Sequence, residues 1–296
     1  MSFRLKSTAP DTSRKIVTPS DPKPKLFFVS EGAETEKIYV QELSILYEDR
    51  IIGEFIFLDR IDITQSNQYI VVNTIDNYLK ISSSISLQDM DLILNIKNEI
   101  QEEINPSEEF IQQKIIALQS LTKGNINGLK LITKENLLEM INALESVKNF
   151  DFGYDKIIIL LDRDKQSFKE KQYDDVIDIS NRHGYELGIT NPCFELFLLL
   201  HLTDISELDK KSIRENKRIG KNNKVRFISK CLDTELKKHN RRYQSKSNYD
   251  AKFIAINYPN LSNNISKSNI ATDPKMLKDK IGTSIYQVLS PYIKSE

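Results

Sequence analysis

Lys156-Ile157-Ile158-Ile159-Leu160-Leu161-Asp162-Arg163-Asp164 is the stretch that decides the fold. An unbroken apolar run of this length, with no alternation, is the pattern of a strand buried on both faces of a parallel sheet. It stops on two carboxylates. A second such run lies far upstream, where Lys25-Leu26-Phe27-Phe28-Val29-Ser30 leads into Glu31-Gly32. Open α/β sheets bind ligands beyond the carboxyl ends of their strands. The two runs therefore point to one acidic site where strands end.

Working outward, strands and helices alternate from residue 25 to residue 202. A helix is predicted at about 34–47, a strand at 54–63 and a helix at 67–81. Ser86 caps the next helix, and Asn105-Pro106 reads as another start, with Pro at the first helical position. A helix from Thr133 to about Lys148 feeds the second acidic strand. After a helix ending at His183, Tyr185 to Thr190 is a strand, Asn191-Pro192 breaks it, and Cys193 to Leu202 is an apolar helix. This alternation means α/β with a largely parallel sheet. The segments after it read as helices at 224–239, 248–257 and 273–289. The layout is a flexible segment 1–24 rich in proline, a core 25–205 with a helical insertion at about 82–130, and a basic helical region 206–296.

In an extended segment, residues i and i+2 point the same way. Asp162 and Asp164 therefore share a side and Arg163 points elsewhere. Such a pair can span one Mg²⁺ or Mn²⁺ ion that also takes a substrate phosphate oxygen. Glu31, from the neighbouring strand end, suits a second ion or general acid/base work. Glu195, one turn past Asn191-Pro192, is the fourth acid. The structural alternative is that acids simply mark solvated strand ends. Asp89-Met90-Asp91 shows how weak an isolated Asp-x-Asp is, since it falls in a helical pattern where i and i+2 do not share a face.

The totals narrow the function. The chain has 296 residues, 39% hydrophobic and 28% charged, and its formal net charge is zero. That argues against a protein that coats nucleic acid indiscriminately. No apolar run approaches the ~20 residues of a membrane helix. Two cysteines and no apolar leader core suggest a reducing cytoplasm. Charge is uneven, however: Lys210 to Lys246 holds 14 Lys or Arg against three acids. Lys217, Arg218, Lys221, Lys224, Arg226, Lys237, Lys238, Arg241, Arg242 and Lys246 could line a groove for a phosphate backbone, with Tyr243 and Tyr249 as stacking platforms. The alternative is a solvated basic surface. His183, His201 and His239 form no zinc pattern with Cys193 or Cys231, and His201 reads as a packed histidine. Gly220-Lys221 is not a P-loop, because the upstream Gly and the following Ser or Thr are missing.

Glu31-Gly32 followed by Glu34, Thr35 and Glu36, then Asp162-Arg163-Asp164, then Asn191-Pro192-Cys193-Phe194-Glu195-Leu196-Phe197 occur in that order. Together they resemble the RloB family of bacterial defence proteins, including the RloB-like component of AbiL-type abortive infection systems. The resemblance covers roughly residues 25–205, and the Asn-Pro-Cys-Phe-Glu block is its most specific part. It implies a core like the Toprim fold and a Mg²⁺-dependent nuclease of an anti-phage system. It implies catalytic or metal-binding roles for Glu31, Asp162, Asp164 and Glu195. Its implied partners are a nucleic acid and an ATPase of ABC or AAA type, with no membrane, and self-association is left open. Two rivals stand beside this reading: a Toprim-like nucleotidyl or strand transferase, and a non-catalytic metal-binding regulator of the ATPase.

Overall fold

The computed structural model describes residues 23–30, 34–58, 68–123, 133–148, 150–165, 168–219 and 225–294. In chain order the elements begin with β1 (Lys25–Ser30), α1 (Thr35–Leu46), β2 (Glu54–Phe57), α2 (Gln68–Ser84), α3 (Leu87–Glu102), α4 (Glu108–Leu121) and α5 (Lys134–Lys148). They continue with β3 (Lys156–Asp162), α6 (Glu170–His183), β4 (Glu186–Asn191), α7 (Phe194–Leu200) and α8 (Lys210–Glu215). Next come β5 (Arg218–Ile219), β6 (Val225–Arg226), α9 (Phe227–Lys238), β7 (Tyr243–Ser245), β8 (Asn248–Tyr249) and α10 (Ala251–Ile256). Last are α11 (Leu261–Ser268), α12 (Pro274–Leu277), β9 (Gly282–Thr283) and α13 (Ile285–Leu289).

The central sheet has the order β2-β1-β3-β4-β9. The first four strands are parallel and β9 is antiparallel to β4. The fold is α/β with a mostly parallel sheet, consistent with a Toprim-like core. Side chains alternate across each strand, which divides the interior into two clusters. Phe27, Val29, Ile157, Ile159, Leu161 and Ile189 face α2 to α6. Leu26, Phe28, Ile158 and Leu160 face α1, α7, α9 and the C-terminal helices. Both faces are covered, which is why these strands read as continuous apolar runs.

Several local expectations hold. The Ser86 side chain accepts from the Asp89 N–H as the cap of α3. Asp89 and Asp91 lie in that helix, as expected. The start of α4 differs from the expected one. Its cap is Ser107, whose side chain accepts from the Phe110 N–H, so Pro106 stands outside the helix. A hydroxyl that satisfies an open N–H defines the end better than proline's preset φ.

The C-terminal region departs further from its sequence reading. The helix expected at 248–257 begins only at Ala251, because Asn248 and Tyr249 pair with Ser245 and Tyr243. The helix expected at 273–289 is split by β9. There Gly282 lies so close to Ala271 that an added Cβ would sit 1.9 Å from its carbonyl oxygen. Only glycine fits that approach. Among the described residues no helix is long and apolar enough to cross a membrane.

Candidate acidic site at the strand ends

Asp162 ends β3 in register with Thr190 of β4. The ladder continues for one more bond, in which the Arg163 N–H donates to the Thr190 carbonyl at 2.8 Å. The Arg163 side chain turns away from the acids. It is buried, donates to the carbonyls of Phe168 and Lys278, and lies over the rings of Phe168 and Tyr173. Burial lowers its pKa from the usual arginine value. The turn of the Arg163 side chain away from the acids is the one expected from the sequence.

The end of β4 is fixed from its other side. The Thr190 and Thr283 hydroxyls are 3.0 Å apart, and Asn191 Nδ2 donates to the Leu277 carbonyl at 2.7 Å. The Asn191–Pro192 peptide is cis. The chain then enters α7, all of whose residues are buried. Glu195 is its one charged residue, 5% exposed. A buried carboxylate costs several kcal/mol unless hydrogen bonds or charges compensate. Tyr243 supplies one such bond, its hydroxyl donating to Glu195 Oε1 at 2.9 Å. Burial, followed by the charge and hydrogen bond of Glu195, pushes the Tyr243 pKa well up. The phenol therefore stays protonated and able to donate.

Tyr243 belongs to the β7–β8 hairpin, which is clamped onto α1. The Tyr249 hydroxyl donates to the Thr35 carbonyl at 2.7 Å. The Thr35 hydroxyl in turn donates to the Lys246 carbonyl at 3.0 Å. This puts the hairpin turn over the first turn of α1, where Glu36 is buried. Desolvation lowers the Lys246 pKa, but the charges of Asp162, Glu195, Glu36 and Cys193 outweigh it, and the net shift is upward. Lys246 therefore keeps its positive charge. Burial, then the charges of Glu195 and Asp162, push the Cys193 thiol well up, which keeps it neutral. Its sulfur accepts from Asn216 Nδ2 at 3.3 Å.

The charges of Asp162, Glu195 and Glu36 thus all act on Lys246, which is itself exposed. Asp164 lines an adjoining cavity, 3.8 Å from the Arg226 guanidinium. Glu31, Lys221 and Lys224 lie outside the described residues. Among the described residues no three His, Cys, Asp or Glu side chains form a group that could hold a metal ion. The donor chemistry nevertheless suits Mg²⁺ or Mn²⁺, since every acid present offers hard oxygen.

The basic stretch divides. On α9, Lys237 pairs with Asp233 and Lys238 with Glu235. Arg241 pairs with Asp250 at 3.1 Å and lies over the Phe253 ring, while Arg242 is exposed. Tyr243 and Tyr249 hold each other at 5.8 Å between ring centroids and turn their hydroxyls inward. They brace the acidic site rather than stand open as stacking platforms. His201 is the packed histidine expected, bonded to the Tyr39 hydroxyl and the Phe197 carbonyl.

Glu36 and the bracing hairpin are what sequence reasoning missed. Glu36 stood in the quoted Glu-Gly block, but an acid in a first helical turn is ordinarily explained by the helix dipole. The sequence model of the RloB-like protein family matches residues 26–290. No curated protein and no solved structure matches the chain significantly.

Proposed function

The chain belongs to the RloB-like family, and from that premise we propose that it is a metal-dependent nuclease acting as the effector of an anti-phage abortive infection system with a partner ATPase. One observation carries the catalytic part. Glu195 is buried in α7 just past the end of β4, held by Tyr243, and its charge acts with that of Asp162 on Lys246. A buried carboxylate is costly to keep, which supports a functional role for Glu195.

In this reading Asp162, Asp164 and Glu195 would hold Mg²⁺ or Mn²⁺, with Glu31 added by the family resemblance. When bound, the ion would polarise a phosphoryl oxygen and lower the pKa of a water. The chain's own residues have separate tasks. Tyr243 fixes the direction of Glu195, as outer partners of metal ligands do. Lys246 offsets the mutual repulsion of the acids and sets a positive charge where a phosphate would approach. Arg226, beside Asp164, offers a forked donor to the polynucleotide backbone. The ATPase partner rests on the family resemblance and on a sequence without a P-loop.

The test is cleavage of labelled single-stranded DNA, duplex DNA and RNA, with and without the partner ATPase, in Mg²⁺ and in EDTA. Cleavage that requires Mg²⁺ and is lost in Asp162→Ala supports the nuclease. Mn²⁺ binding with no cleavage under any condition favours the regulator.

A further inference from the structure

A cavity of about 390 Å³ opens beside Asp164. Asn191, Pro192 and the buried Asn216 line it, with α8 and the β5–β6 pair around them. Asn216 fixes this geometry. Its backbone is left-handed at φ 39°, its side-chain Nδ2 donates to Cys193 Sγ, and its side-chain Oδ1 accepts from the Ile228 N–H. The cavity is therefore tied to the strand end that precedes Glu195.

Its cations fall into two groups. Arg163 is committed to backbone carbonyls, Lys165 to Asp279 at 2.7 Å, and Lys217 to Glu215 at 3.0 Å. Arg214 and Arg218 have no acidic partner within 4 Å among the described residues, and Arg226 has only its long contact to Asp164. Arg218 and Arg226 also stand directly opposite each other in the β5–β6 register, and both are exposed. Like charges directly opposite on a strand pair are destabilising. The arrangement makes sense when an anion lies between them, and paired guanidinium forks match the geometry of phosphate.

We infer that this cavity binds a phosphate of the polynucleotide strand next to the bond held at the acidic site, through Arg218 and Arg226 with Arg214 beside them. The inference deepens the nuclease reading and rests on it for the identity of the neighbouring site. The volume lies at the lower end of ordinary ligand pockets, which run from roughly 300 to 1,000 Å³. It also separates these arginines from Lys237 and Lys238, which are paired with acids on their own helix.

The experiment is fluorescence anisotropy of the full chain with a labelled 12-nucleotide DNA or RNA, in EDTA so that nothing is cut. Arg218→Ala with Arg226→Ala should weaken binding at least tenfold and lower the salt slope by about two units. Lys237→Ala with Lys238→Ala should change affinity less than twofold. Arg218→Lys with Arg226→Lys should keep the salt slope yet bind more weakly, because charge remains and the fork is lost. A matching thermal midpoint confirms folding of each variant. Equal loss in the two alanine pairs, or none in the arginine pair, overturns the inference. So does uridine 3′,5′-bisphosphate or inorganic phosphate competing as well as an unlabelled strand, since the site would then serve a free nucleotide or a simple anion. Binding is read without cleavage. A chain that binds through these arginines but never cuts keeps the cavity assignment and removes the nuclease.

Discussion

The two faces of the central sheet are built in different ways. One face is covered by α2 to α6, long helices with local caps such as Ser86 and Ser107. The other is covered by α1, α7 and a series of short elements after residue 210, tied by hydrogen bonds far apart in sequence. Thr35 reaches Lys246, and Tyr249 reaches back to Thr35. Glu195, Glu36 and Lys246 lie on this second side. Helices that only need burial can be long and locally determined. A site that must bring a carboxylate, a phenol and an ammonium together needs short pieces whose positions are set by distant partners.

Four measurements would break or sharpen that contrast. The largest effect is expected at the acids. Asp162→Ala should lower the cleavage rate by about a thousandfold or more, the scale of losing a group that acts on transition-state charge. Its thermal midpoint should change little, because the relieved repulsion among the acids and the lost attraction to Lys246 act in opposite directions. A variant that is folded and equally active would end the catalytic reading of this side.

On the helical side, Ile93→Ala in α3 removes a fully buried side chain. Urea unfolding should show a loss of about 2–5 kcal/mol, with cleavage by the surviving folded protein unchanged. A loss of activity without a loss of stability would mean that this face is also functional.

Tyr243→Phe keeps the ring and removes the bond to Glu195. Mn²⁺ affinity should fall about 10- to 100-fold, as when an outer partner of a metal ligand is lost. An unchanged Mn²⁺ affinity in Tyr243→Phe would make the hairpin a cover and nothing more.

The smallest effect is a pH dependence. Burial holds the His201 pKa down at about 3, against 6.5 for the free side chain. The folded protein keeps this ring neutral, whereas the unfolded chain protonates it below about 6.5. Stability is therefore complete above that pH and declines as pH drops toward 3, by at most about 1.4 kcal/mol per unit. Stability curves between pH 6.5 and 5.5 should be flatter for His201→Gln. Equal slopes would remove His201 from the pH response.

What the sequence disclosed follows the same division. The runs at β1, β3 and β4 were legible because burial on both faces leaves an unmistakable apolar stretch. Ser86 was legible because a cap is a local interaction. Pro106 misled, since its preference for a helix start says nothing about which neighbouring hydroxyl closes the end. Tyr243–Ser245 and Asn248–Tyr249 are too short to show a period of two. Their pairing is specified by Glu195 and Thr35, residues that no local window contains. Glu195 was legible as an acid following a strand, but its bond to Tyr243 was not.

The separation of Glu195 from Tyr243 by 48 residues, and of Thr35 from Lys246 by 211, also imposes a schedule. Synthesis proceeds from the N-terminus, and chain segments fold as they emerge. Every acid of the site has left the ribosome before the tyrosine and lysine that brace it exist. An unfinished chain therefore carries the carboxylates without the partners that brace them. A version stopped after residue 242 should bind Mn²⁺ no better than the Asp162→Ala variant, and tight binding by it would show that the site assembles early. Under the proposed nuclease reading, arming the site last would keep the nascent protein safe beside the message that encodes it.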